Sequence, residues 1–130
     1  MTTRTQSFNP RLTAEVFNAR SRGHLPGLVG LEIVKISADA VDSRLPARPE
    51  LMAPNGFLHA AAVIALADTS CGYGCVAHLP EGASGFTTVE LKANFLGTVR
   101  EGGGGMVALF RCTQMVLWPR PGKLPNPVCV

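Results

Sequence analysis

Charge is scarce in this sequence: 16% of its 130 residues are Asp, Glu, Lys or Arg, against 46% hydrophobic. That balance excludes a disordered chain, and the low charge predicts that part of the surface is covered in an oligomer. The 12 basic and 9 acidic residues leave a net charge of +3. No Lys/Arg run and no basic stripe interleaved with aromatics occurs, so no nucleic-acid partner is expected. Cys71, Cys75, Cys112 and Cys129 form no C-x-x-C pair, and no metal-ligand spacing exists. They read as small buried thiols, with no metal and no cofactor expected. No apolar run reaches the ~20 residues of a spanning helix, and residues 1–8 lack an apolar signal core. The expectation is a cytoplasmic protein without a membrane partner. The length fits one domain, 1–130, with an N-terminal helix and loop over 1–25 and an irregular tail over 119–130.

The elements that are present alternate in type. Asn9-Pro10 reads as a cap and first helical residue, which predicts a helix over 10–20 carrying Leu12, Val16 and Phe17 on one face. Gly23, Pro26, Gly27 and Gly30 punctuate a loop. Residues 31–45 have the pattern of a hairpin turning at 37–40. Residues 59–76 are apolar nearly all round, which predicts a helix buried on all sides whose small residues let strands approach closely. Gly72 and Gly74 weaken it toward its end. Residues 87–99 read as a strand with Val89, Leu91, Ala93 and Phe95 on one face and Thr88, Glu90, Lys92 and Asn94 on the other. Residues 106–118 read as another, with Val107, Leu109, Met115 and Leu117 sharing a face. The four glycines at 102–105 between them act as a joint. One helix enclosed by antiparallel strands is an α+β plan.

Asp68 is the outlier. An ionised carboxylate on a helix built for burial needs a partner or a purpose. It is either a structural Asp bonded to backbone or Thr69, or a general base or nucleophile at a pocket wall. His59 lies nine residues upstream, about 13 Å along a helix axis, so the two need not touch. No G-x-S-x-G nucleophile motif is present, and His59 reads as an anchor at the helix start. The N–H groups of Ala60 and Ala61 fall in the first turn, where they lack internal partners and could polarise an acyl carbonyl. Thr88, near a strand start, could hold a water; the alternative for its face is a solvated sheet surface.

Asn55-Gly56-Phe57-Leu58-His59-Ala60-Ala61, Leu66-Ala67-Asp68-Thr69 and Thr87-Thr88-Val89-Glu90-Leu91-Lys92-Ala93-Asn94-Phe95 together resemble the hot-dog-fold acyl-CoA thioesterases of the phenylacetate-pathway (PaaI-like) type. The resemblance implies a long central helix wrapped by a curled antiparallel sheet, and hydrolysis of aryl-acetyl or medium-chain acyl-CoA. It implies homodimers or homotetramers with active sites at the subunit interface. By the same resemblance Asp68 is the catalytic carboxylate, Ala60 supplies the polarising N–H, His59 is the motif histidine, and Thr88 comes from the partner subunit to orient water. Asn55, Gly56 and Ala61 stand at the implied substrate-binding positions.

The sequence departs from this family in three places. His59-Ala60-Ala61 replaces the usual His-Gly-Gly, and Asn55 lies four residues before the histidine where the family often has six. After the first long strand a hairpin of two strands, roughly 25–30 residues against a usual sheet of ~5–6 strands, is missing. The shortened sheet motivates a second reading, a non-catalytic acyl-CoA-binding or oligomerisation module on the same fold. A hot-dog dehydratase is a third, with less in the sequence to favour it.

Overall fold

The structure, a computed structural model, describes residues 7–101 and 108–122. Helix α1 spans Ala14–Ser21, α2 Leu25–Val29 and α3 Ala60–Ala77, and a single 3₁₀ turn covers Pro49–Leu51. Strands β1 (Glu32–Ile36), β2 (Val41–Arg44), β3 (Gly85–Phe95) and β4 (Ala108–Leu117) pair as two antiparallel ribbons, β1 with β2 and β3 with β4. Among the described residues no strand joins the ribbons.

The first helix starts later than the Asn9-Pro10 signal predicts. Asn9 Oδ1 instead accepts from Arg11 N at 3.0 Å in a local turn, and Thr13, in extended conformation, caps Val16 N. Nor are residues 25–29 a loop. Pro26 sits in the first turn of α2, and Gly30 ends it at φ 79°, so the same punctuation marks a one-turn helix. The hairpin forms as expected, with Ser37 N donating to Ala40 O at 2.9 Å.

The core gathers on the β1–β2 side. Phe17, Leu31, Ile33 and Ala77 are buried, with Leu66, Tyr73 and Val76 of α3 packed against them. Asn18 fixes α1 there, its amide donating to Ile33 O at 2.9 Å and accepting from Ile33 N at 2.8 Å. Phe17 stacks on Tyr73 with centroids 4.5 Å apart. Buried Ser21 donates to Phe17 O at 3.0 Å and lies 2.7 Å from the Tyr73 hydroxyl, which therefore donates to it. Tyr73→Phe should cost about 0.5–1.5 kcal/mol by leaving the Ser21 oxygen without that donor. Urea denaturation checks this, and an unchanged midpoint would mean the bond contributes nothing net.

α3 is not buried on all sides. Within this chain only Ala62, Gly72 and Ala77 are buried, while Ala61 and Cys71 are exposed. The physical reason is the gap between the ribbons, which leaves part of the helix uncovered. On length and composition alone these 18 residues could cross a bilayer. Its contacts with β2, β3 and β4, however, are those of a core helix. Close approach does occur at Gly72, where an added Cβ would lie 2.8 Å from the Phe86 ring.

β3 and β4 pair from Gly85↔Leu117 to Phe95↔Ala108, with a bulge between Thr88 and Glu90. The bulge breaks the predicted alternation. Thr88 turns toward α3, and Leu91 and Ala93 take that face beyond it, whereas Val89 is 53% and Phe95 46% exposed. On β4 the half-buried set is Ala108, Phe110, Cys112, Gln114 and Val116. Leu109, Met115 and Leu117 share a face, as expected, but it is the outer one. Residues 102–107, which include the glycine run, Met106 and Val107, lie outside the described residues, as do residues 123–130 with Cys129.

Candidate active site

Two groups of polar atoms lie along α3. The first is at its start. His59 is the N-cap, extended at φ −64° and ψ 135°, and its Nδ1 accepts from Ala61 N at 3.0 Å. Its own N–H donates to Leu51 O at 2.9 Å, so it anchors the helix to the preceding turn. Ala62 N takes the His59 carbonyl at 2.9 Å. Ala60 N–H is left with no internal acceptor among the described residues.

Ala60, His59, Asn55, Phe57, Val63 and Phe95 line one cavity of about 380 Å³. Two loops in its walls are tied together by Leu58 N donating to Val99 O at 2.7 Å. Asn55 Oδ1 accepts from Phe57 N at 3.2 Å, and Gly56, at φ 84°, makes the turn. Arg100 lays its guanidinium 4.2 Å from the Phe57 ring centroid, and its Nη1 would stand 3.3 Å from any Cβ on Gly56. Of the three implied substrate-binding residues, then, Asn55 reaches this cavity, and Gly56 shapes the loop without lining it. Ala61 is directed elsewhere: its N–H is used by His59, and it lines a different cavity with Leu25 and Met52.

The second group surrounds Asp68. Thr88 Oγ1 donates to Asp68 Oδ1 at 3.0 Å, and Cys112 Sγ approaches the same oxygen at 3.8 Å. Asp68 Oδ2 accepts no hydrogen bond among the described residues. This Thr88 belongs to the same chain, whereas the resemblance implied a partner's; the bulge after Thr88 is what turns it inward. Cys112 and Cys71 lie near Asp68, and Cys75 lies near Cys112; Cys71 is exposed and Cys75 and Cys112 are half-buried, not buried as expected. Partial burial pushes the Cys71 thiol up, with Cys112 and Asp68 adding to the effect, and burial followed by Cys112 does the same for Cys75. Both thiols are therefore neutral at pH 7 and poorly suited to nucleophilic attack. Among the described residues no three His, Cys, Asp or Glu side chains form a metal-holding group.

Asp68 stands eight positions after Ala60, about 12 Å of helix axis. The carboxylate and the free N–H of one chain thus cannot both touch one carbonyl group. Sequence reading missed Cys112, Gln114 and Arg100. The first two join Asp68 only through the β3–β4 register, and Arg100 reaches Gly56 only through a loop contact.

Residues 55–103 match the Thioesterase superfamily. The chain is 28% identical over 95 residues to the 1,4-dihydroxy-2-naphthoyl-CoA hydrolase of Escherichia coli, covering 71% of this chain and 67% of that one. A crystal structure of a thioesterase from Haemophilus influenzae, 26% identical, superposes with a TM-score of 0.65 over 77% of this chain and 67% of that one. A mutant thioesterase from Pseudomonas aeruginosa shares the fold, at 17% identity and a TM-score of 0.75, over 88% of this chain and 99% of that one. The chain thus has the hot-dog fold in shortened form, and residues 55–103 are similar to the Thioesterase superfamily.

Proposed function

We propose that this protein hydrolyses acyl-CoA thioesters, aryl-acetyl or medium-chain, at a site shared by two copies of the chain. Asp68 of one subunit and the N–H of the partner's Ala60 act on the same thioester. The observation that carries this reading is the separation of about 12 Å between Asp68 and Ala60 within one chain, with each otherwise equipped for its role. Thr88 occupies one Asp68 oxygen and leaves Oδ2 for a water. Asp68 takes a proton as the water attacks the carbonyl carbon. The negative charge that develops on the carbonyl oxygen falls on the partner's Ala60 N–H. Collapse expels the thiolate of CoA, a stable leaving group that then takes up the proton. The cavity beside Ala60, with Phe57 and Phe95 in its walls, suits an apolar acyl group, and Arg100 beside it suits the nucleotide phosphates.

The test is release of free CoA, followed with a thiol reagent, over a panel of short, medium, long and aryl acyl-CoAs that includes phenylacetyl-CoA. Turnover on at least one class supports the proposal. The unjoined ribbons favour a second reading, an acyl-CoA-binding or oligomerisation module. Saturable binding with no turnover by folded protein would select it.

A further inference from the structure

Gln114 makes an unusual contact. It lies on β4 directly opposite Thr88, on the face turned to α3. With its amide assigned so that the oxygen faces an N–H and the nitrogen a carbonyl, it donates to Cys71 O and accepts from Gly72 N, each at 3.0 Å. A strand side chain is thus bonded to two consecutive peptide groups inside the helix. Gly72 N is also the donor that a regular helix directs at the carbonyl of Asp68, four residues earlier. Gly72 has no side chain to hold the strands off, and Phe86 fills the space where a Cβ would be. The cross-strand pair Thr88 and Gln114 therefore grips one helical turn twice. Thr88 holds the Asp68 carboxylate, and Gln114 holds the backbone one turn on.

We infer that Gln114 is a positioning residue for the reaction: by clamping the α3 backbone at Cys71 and Gly72 it sets the spacing at which Thr88 orients the Asp68 carboxylate. The inference rests on Asp68 being the base, as proposed above. An amide is the side-chain group that supplies both a donor and an acceptor in one plane at this reach. A carboxylate offers no donor to Cys71 O, and a thioether offers neither bond.

The test compares Gln114→Met, Thr88→Ala, the double variant and Asp68→Asn by CoA release, with turnover normalised to folded protein. Gln114→Met should lower kcat by about ten- to a hundredfold, the scale of a small misplacement at a reacting group. KM should stay within about twofold, because ground-state binding is untouched. Its loss and that of Thr88→Ala should not multiply, since one acts through the other. If Gln114→Met does not fold, Gln114→Glu keeps the volume and the Gly72 bond and should show the same kcat loss. Wild-type kcat in the folded variant, or losses that multiply in full, would overturn the inference, and an inactive Asp68→Asn beside it would leave the reading of Asp68 as the base standing. A fully active Asp68→Asn would instead overturn the reading of Asp68, and the inference with it.

Discussion

Asp68→Asn should lower kcat on the best acyl-CoA substrate by more than ~10²-fold, the scale of a lost general base, while the protein remains folded. The substitution separates the two explanations of Asp68. Asn has the same shape, and its Oδ1 can still accept from Thr88, whose hydroxyl lies 3.0 Å from the Asp68 oxygen. A structural Asp whose task is to satisfy Thr88 would thus be replaced without loss of function. What Asn cannot do is take a proton from water. Rates of thiol release and circular-dichroism melts on the same preparations decide the matter. Lost turnover with an unshifted melt assigns the chemistry to Asp68, and unchanged turnover removes it from the mechanism. A lowered melt with turnover intact per folded molecule would point to the structural role.

Asp68 was legible in the sequence because a carboxylate amid Ala65, Leu66 and Ala67 conflicts with burial, and that conflict needs no structure to detect. The helix boundary at His59 and the hairpin turning at Ser37 were legible for a similar reason: local chemistry dictates both. The rest depends on competition or on partners. Asn9 and Thr13 are both good caps, and which one wins is decided by the turn Asn9 makes with Arg11. Pro26 and Gly30 mark a loop or a short helix equally well until Gly30 is placed at φ 79°. The bulge at Val89 has no signature in β3 alone, because it reports how β3 aligns with β4. It nevertheless decides that Thr88 faces Asp68. The outer position of Leu109, Met115 and Leu117 follows from Gln114 docking on α3, which likewise exists only once the strands are in register. Ala60 and Ala61 looked equivalent as donors until the His59 ring took the N–H of one.

That inequality gives the sharpest test of the oxyanion site. Ala60→Pro should lower turnover by ~10²–10³-fold, the usual consequence of removing one oxyanion donor, with little change in stability. Proline is tolerated at the first helical position, where its absent N–H breaks no internal bond. The residue before it must be extended, and His59 already is, at φ −64° and ψ 135°. The loss should therefore be one of chemistry and not of folding; full activity would remove the Ala60 N–H from the mechanism. Ala60→Pro and Asp68→Asn subunits, each inactive alone, can then be mixed in equal amounts. If a site takes Asp68 from one chain and Ala60 from the other, each mixed dimer holds one site with both groups intact and one with neither. Half the dimers in a random mixture are mixed, so about a quarter of wild-type activity should return for a symmetric dimer. If instead each site drew both groups from a single chain, every site would carry one defect and mixing would restore nothing. The helix length of about 12 Å between the two groups predicts recovery.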